Sequence, residues 1–300
     1  MKKVSAGIDI GGTNTVFGWV NESGDFSWRG SVKTTDYPEA SQLVEAVSQQ
    51  LLANLENCEA VGVGIGAPNG NYHKGTIEFA PNLQWEGMVP LKTYFQQHFD
   101  LPVIVTNDAN AAAIGEMVYG AAQGMNDFIM VTLGTGLGSG FVANGELVYG
   151  HDAFAGELGH TIIEPNGRPC GCGRNGCLET YASATGIQKT ALGLSDKMLS
   201  SKEIAKAALS EEEWALEAFD LTAQKLGLAL ANAVAVTSPQ AIFLFGGLAQ
   251  AGDLIFHPAK KYMEQNLLSI YKNKVQLLPS SLAGADAAIL GASALAWKAI

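Results

Sequence analysis

Residues 170–177 read CGCGRNGC, so Cys170, Cys172 and Cys177 bring three of the chain's four cysteines within eight residues. Three thiols cannot all pair, and in a reducing compartment clustered cysteines point to a metal or to catalysis. His160, ten residues ahead of the first, completes a Cys3His set, the donor chemistry of a closed structural Zn2+ site. The C-x-C-x4-C spacing differs from the C-x2-C pairs of common zinc ribbons, and His151 is an alternative fourth ligand. A catalytic thiol fits less well, because one activated cysteine gains nothing from two neighbours. Glycines and Pro169 let the loop wrap a small ion, and Glu157 and Glu179 bracket it. Glutamates usually stand in solvent; fixed to a metal clip, these two can instead hydrogen-bond a polyhydroxylated ligand. Cys58, apart from the cluster, reads as a small core residue.

Two glycine turns offer a second chemistry. In GIDIGGTNT, Asp9 stands just ahead of Gly11, Gly12 and Thr13; in LGTGLGSG (133–140), Gly134, Thr135 and Gly136 repeat the pattern. Residues without side chains let backbone N–H groups approach a phosphate, and threonine adds a hydroxyl donor. Neither stretch has the GK[ST] ending of a Walker loop, and neither opens a helix as a dinucleotide fingerprint does. Singly, each is also what a plain hairpin looks like. Together, and with a carboxylate ahead of one, they point to a nucleotide, with Asp9 holding a Mg2+ through water.

In VIVTNDANAAAIGE (103–116), Asn107 and Asp108 stand where an apolar strand gives way to an alanine-rich helix. Either can cap that helix. A carboxylate there can also accept the proton of a substrate hydroxyl while that oxygen attacks a γ-phosphoryl group; one residue of the pair can cap while the other catalyses.

The elements that must carry these groups form an internal repeat. VSAGIDI (4–10), a turn and TVFGWV (15–20) read as a β-hairpin, and FIMVTL, GTGLGS and GFVA over 128–143 read as a second copy. Each is followed by an apolar strand ending in glycine, AVGVGIGAPNG (60–70) and AIFLFGGLAQAG (241–252). The spacing predicts helices over 39–55, 211–236 and at the C-terminus. Strands with intervening helices place the chain in the α/β class. The repeat predicts two lobes, each with a glycine turn facing a shared cleft, and a boundary near Tyr119–Asn126.

The totals agree with a folded enzyme. A 300-residue chain, 47% hydrophobic and 16% charged, can bury a large core. Its net charge of −11 repels nucleic acid and anionic membranes. No run of about 18 apolar residues exists, and MKKVSAGIDIGG is too short a hydrophobic stretch for a secretory signal. The expectation is a soluble cytoplasmic protein.

With DIGGT, GAPNG, APNLQW, TNDANAAAIGE, LGTGLGSG, ELGH, CGCGRNGCLE and a late FGG in place, the chain resembles the ROK family of sugar kinases. The resemblance implies a two-lobed actin/hexokinase-like fold of duplicated ribonuclease H-like type with a zinc-binding loop at 160–177. It implies a small lobe over 1–118, joined by the C-terminal helix at 287–300, and a larger lobe over 119–286. Carried over by position, Asp108 is the catalytic base, and Gly66, Asn82, Asn107, Glu157, His160 and Glu179 contact the sugar. Gly11, Gly12, Thr13, Gly134, Thr135 and Gly136 line the ATP phosphates, and Gly246 and Gly247 the adenosine. His160 serves zinc and sugar through its two ring nitrogens. The implied reaction is ATP- and Mg2+-dependent phosphorylation of a hexose 6-hydroxyl, foremost glucose, by a homodimer. N-acetylglucosamine, N-acetylmannosamine, mannose, allose and fructose are alternative acceptors, and a non-catalytic sugar sensor is the alternative of another class. The segment before position 4 leaves no room for the helix-turn-helix of family repressors.

Overall fold

A computed structural model describes residues 1–282 and 284–299. The chain divides into two compact units, one of residues 1–124, 147–155 and 281–300, the other of 125–146 and 156–280.

The first unit contains β1 (Lys2–Ile10), β2 (Asn14–Val20), β3 (Phe26–Lys33), α1 (Ala40–Ala53), β4 (Cys58–Gly66), β5 (Gly70–Asn71), β6 (Thr76–Glu78), β7 (Met88–Val89), α2 (Leu91–Gln96), β8 (Val103–Thr106) and α3 (Asp108–Tyr119). The second contains β9 (Phe128–Leu133), β10 (Leu137–Ala143), β11 (Glu146–Leu147, at its boundary), α4 (Ala184–Ser195), α5 (Ser201–Leu209), α6 (Glu213–Thr237), β12 (Ala241–Phe245), α7 (Asp253–Asn266) and β13 (Gln276–Pro279). The closing helix, α8 (Gly284–Lys298), belongs to the first unit.

The predicted repeat is present in the sheets, which run β3-β2-β1-β4-β8 and β11-β10-β9-β12-β13. In each, an antiparallel hairpin is extended by parallel strands: β1 pairs β2 antiparallel and β4 parallel, and β9 pairs β10 antiparallel and β12 parallel. A small three-stranded sheet, β5-β6-β7, lies in the first unit.

Strand alternation sorts β1 into two faces. Val4, Ala6, Ile8 and Ile10 enter a core shared with Leu43, Val47 and Leu51 of α1, where the Trp19 indole N–H donates to the Leu51 carbonyl at 2.8 Å. The other face carries Ser5, Gly7 and Asp9. Helix α8 lies on it so closely that a Cβ on Gly7 would overlap the Ile289 carbonyl, and one on Gly64 of β4 the Ala292 carbonyl. Ser5 and Ser293 share a buried hydroxyl hydrogen bond of 2.6 Å beneath the helix. The second unit's core joins Ile129, Val131, Ile242 and Leu244 to the Ala- and Leu-rich face of α6. That helix ends where Ser238 turns left-handed ahead of Pro239, as its sequence predicts.

The division differs in detail from the expected lobes. Residues 147–155, expected in the second lobe, cluster with the first unit. The Asn71 amide donates to the Asp152 carbonyl at 3.0 Å, His73 Nε2 lies 3.0 Å from the Gly150 carbonyl, and Tyr72 stacks on Tyr149 with ring centroids 3.9 Å apart. Ser281, also expected there, is held to the first unit by buried Glu116 of α3, whose carboxylate accepts from the Ser281 N–H and hydroxyl. Cys58 is the half-buried first residue of β4, packed against the edge of the core.

Candidate active site and zinc centre

In the first unit, β1 and β4 run in parallel register with Asp9 opposite Gly66. Gly66 stands beside the carboxyl: a Cβ there would be in ordinary contact with Asp9 Oδ1, at 3.6 Å, and tighter against the Ala111 Cβ, at 3.2 Å. Burial, and then repulsion from Asp108, push the Asp9 carboxyl up to about 7. No salt bridge neutralises it among the described residues. A largely buried, unpaired carboxylate is what a cation would relieve, so the residue fits its expected Mg2+ role. The following turn is closed by the Gly11 N–H on the Asn14 carbonyl at 3.0 Å. Gly12 carries the Asn82 backbone against it, since a Cβ on Gly12 would run into the Asn82 carbonyl oxygen.

Asn107 and Asp108 divide the labour that their types left open. Asn107 is the N-cap of α3, its side-chain oxygen accepting from the Asn110 N–H at 2.7 Å. Asp108 is the first helical residue, and its carboxylate accepts from adjacent backbone N–H groups, that of Ala109 at 2.8 Å and its own. Surrounding protein raises its carboxyl above the ordinary range, although its outer face is reached by solvent; the Ala109 N–H opposes that rise. A carboxylate raised in this way is a stronger base than an ordinary one and better suited to taking a proton.

In the second unit, the turn between β9 and β10 rests on the start of α4. The Ala184 N–H donates to the Gly134 carbonyl at 2.8 Å, and the Thr185 hydroxyl donates to the Thr135 carbonyl. Across a planar trans peptide the N–H opposes the C=O, so the amides of Thr135 and Gly136 are turned away from α4, adjacent donors of the kind that cradle an anion. Gly246 follows β12 at φ 101°, and a Cβ there would lie 2.7 Å from the Leu133 carbonyl. Gly247 has no neighbour within 4 Å of its Cβ position.

The zinc loop assembles as a donor set. His160, Cys170, Cys172 and Cys177 place one ligand atom each within 4.8 Å of one another, and His151 stands outside, its side chain 97% exposed. Cys172 and Cys177 sulfurs are 3.6 Å apart, and Cys170 sulfur is 3.7 Å from His160 Nδ1. Tetrahedral zinc with ordinary bond lengths sets those edges at about 3.8 and about 3.6 Å. Two small bridges, Ile162 to Cys177 and Pro169 to Asn175, fold the loop back on itself. Glu157 precedes a 3-10 turn, Leu158–His160, rather than an α-helix. Glu179 Oε1 accepts from the Cys170 thiol at 2.9 Å and lies 3.7 Å from His160 Nδ1; its Oε2 is 2.7 Å from where a Gly136 Cβ would stand. The zinc-clip glutamate therefore touches the glycine turn of its own unit.

Two arginines escaped the sequence reading. Arg174 donates to the His160 carbonyl at 2.9 Å and hydrogen-bonds Cys172, pulling that thiol down to about 6. Arg168 donates to the Thr180 and Gly186 carbonyls at 2.9 and 3.1 Å and to the Thr190 hydroxyl at 2.9 Å, with its guanidinium 4.6 Å from the Tyr181 ring. A lone cation between two metal-ligating cysteines was a signal for Arg174; nothing local marked Arg168, whose partners are up to 22 residues away.

A model of the ROK family matches residues 5–299. This chain belongs to the ROK family. Among ROK relatives, it is 35% identical over 306 residues to a glucokinase of Halalkalibacterium halodurans, covering 95% of this chain and 92% of that protein. It is 35% identical over 311 residues to a glucokinase of Streptomyces coelicolor, covering 98% and 97%. The crystal structure of a ROK family glucokinase from Streptomyces griseus in complex with glucose and AMPPNP matches with a TM-score of 0.82 and 35% identity, over 98% of this chain and 99% of that one. The ROK assignment accounts for the duplicated sheets and the Cys3His loop together. Among the described residues no helix is long and apolar enough to cross a membrane.

Proposed function

We propose that this ROK protein is an ATP-dependent hexose kinase that phosphorylates glucose at the 6-hydroxyl. The observation that carries the reading is the division between Asn107, which caps α3, and Asp108, which is left as a raised, solvent-reached carboxylate. Asp108 takes the proton of the sugar hydroxyl as that oxygen attacks the γ-phosphoryl group. The sugar contacts proposed are Asn82, Asn107, Gly66, Glu157, His160 and Glu179. The Gly11-Gly12-Thr13 and Gly134-Thr135-Gly136 turns present amides to the phosphates, and Gly246 and Gly247 line the adenosine. Asp9 would hold Mg2+ through water; when bound, that ion neutralises phosphate charge. His160, Cys170, Cys172 and Cys177 would hold zinc, which braces the loop bearing Glu179. With Nδ1 turned to the sulfurs, Nε2 is the His160 nitrogen for the sugar.

The test is turnover with ATP across glucose, mannose, allose, fructose and N-acetylated hexosamines, in wild type and Asp108→Asn. Glucose turnover that falls at least about 10^3-fold in the variant, with glucose binding retained, supports the reading; unchanged turnover refutes the base assignment, and binding without turnover in the wild type supports a sugar sensor. Two corollaries are a cytoplasmic enzyme, whose thiols stay reduced, and a homodimer, measured by light scattering.

A further inference from the structure

The APNLQW segment is explained only at Asn82 by the proposed reaction. Its Gln84 and Trp85 are tied elsewhere, to the 3-10 turn Thr34–Asp36 that follows β3. The Trp85 indole N–H donates to the Tyr37 carbonyl at 3.1 Å, with the ring buried. The Gln84 amide donates to the same carbonyl and, at 3.3 Å, to that of Thr34. The 3-10 turn is in turn bonded to the first glycine turn: the Thr34 N–H donates to the Thr13 carbonyl at 2.9 Å, and the Thr34 and Thr15 hydroxyls meet at 2.8 Å, both side chains buried. The circuit closes where the Asn82 backbone lies on Gly12. Three segments distant in sequence, 11–15, 34–37 and 82–85, thus form one closed ring of contacts within the first unit.

We infer that Trp85 and Gln84 are positioning residues, which hold the 34–37 turn as a strut fixing the sugar loop at Asn82 and the phosphate turn at Gly11–Thr13 to each other. The inference rests on the roles proposed above for Asn82 and for the glycine turn. A ring closed by direct backbone contact at one point and by side-chain donors at the other transmits displacement in both directions. Loosening the donors frees both turns, whereas a purely local role for the segment would loosen Asn82 alone. Trp85→Phe keeps the buried ring and deletes the donor. Gln84→Met keeps the length of an exposed side chain and deletes the other.

The experiment compares wild type, Trp85→Phe, Gln84→Met and the double variant by steady-state kinetics and by amide hydrogen exchange of the folded protein. The double variant is expected to raise KM for glucose and for Mg-ATP together, each about 5- to 20-fold, and to speed exchange at Thr34, whose amide bonds the Thr13 carbonyl, at least 5-fold, while the amides of β4 stay protected. A rise in the glucose KM alone, with Thr34 exchange unchanged, overturns the strut. If the double variant does not fold, the same two readouts on Gln84→Met decide, since that side chain is exposed and its loss leaves the core intact. If wild type turns over no hexose, the kinase reading fails; coupled exchange at Thr34 still supports the strut, and its absence overturns it.

Discussion

Asp9→Asn should remove a pH dependence built into the ligand-free protein. Lifting the Asp9 carboxyl from 3.8 to about 7 makes its ionisation in the folded state cost about 4 kcal/mol, at about 1.36 kcal/mol per unit. The folded pKa is the higher one, so protonation favours the folded state. That contribution is complete below pH 3.8 and is lost as pH rises through about 7. Between pH 5 and pH 8 the wild type should lose about 2.5 kcal/mol from this residue. Asparagine has the same shape and no charge to bury, so the variant should gain that much on the wild type over the same interval. Urea unfolding in magnesium-free buffer with zinc present measures it. Tryptophan fluorescence suits the purpose, because Trp19, Trp28, Trp85 and Trp297 lie in the unit that contains Asp9 and only Trp214 lies in the other. Asp108→Asn is the companion, for it removes the repulsion that is the second cause of the shift and should move the Asp9 midpoint down. A stability difference between wild type and Asp9→Asn that stays constant from pH 5 to pH 8 would refute the reasoning.

Other expectations follow from packing and from the loop. Gly64→Ala places a methyl group into the Ala292 carbonyl, and lifting α8 off the sheet should cost about 3 kcal/mol, read as a lowered urea midpoint; an unchanged midpoint would mean that the helix is not seated as described. Arg168→Met removes three hydrogen bonds made by a half-buried guanidinium and should cost about 2–3 kcal/mol while zinc content stays at about one per chain, as thermal melts and elemental analysis would show. Purified protein without zinc would contradict the Cys3His site. Graded chelation should weaken glucose binding before nucleotide binding, measured by calorimetry with each ligand, because zinc braces Glu179 and not the backbone of the glycine turns; loss of nucleotide binding first would be the contrary result.

What the sequence made legible is what depends on local rules. Period-2 apolar runs and glycine turns mark both hairpins, and a Ser-Pro break marks the end of α6, because strand alternation and helix termination are decided within a few residues. The Cys3His set was readable because thiols are scarce and donor chemistry is specific. The same grounds favour His160 over His151, and the fold agrees, putting the His160 Nδ1 beside a cysteine sulfur and leaving His151 exposed. Asn107 and Asp108, by contrast, were equal as caps until backbone geometry assigned the cap to the first. Arg168, Glu116 and the ring through Trp85 were invisible because their partners are far along the chain and are mostly backbone groups, which carry no residue signature. The membership of residues 147–155 was hidden likewise, in a tyrosine stack and two hydrogen bonds.

The two halves of the repeat diverge where charge requires it. Asp9 is the penultimate residue of β1; the penultimate residue of β9 is Thr132, a neutral hydroxyl at the corresponding place. A second carboxylate there would add repulsion to any phosphate at its turn, whereas one carboxylate can be neutralised by a single divalent ion. The braces differ to match. The turn after Asp9 is tied to a short 3-10 segment that contributes little dipole, and the turn after Thr132 is backed by the N-terminus of the 12-residue α4, which brings partial positive charge. One half thus has a carboxylate that calls for a metal, and the other has a helix terminus that favours an anion directly. Asp9→Thr would therefore not turn the first half into a copy of the second: without a helix behind it, the first turn should lose nucleotide affinity that magnesium could no longer restore. Titration of AMPPNP against magnesium measures this, and a variant whose affinity still rises with magnesium as steeply as the wild type's would show that Asp9 is not the group the ion needs.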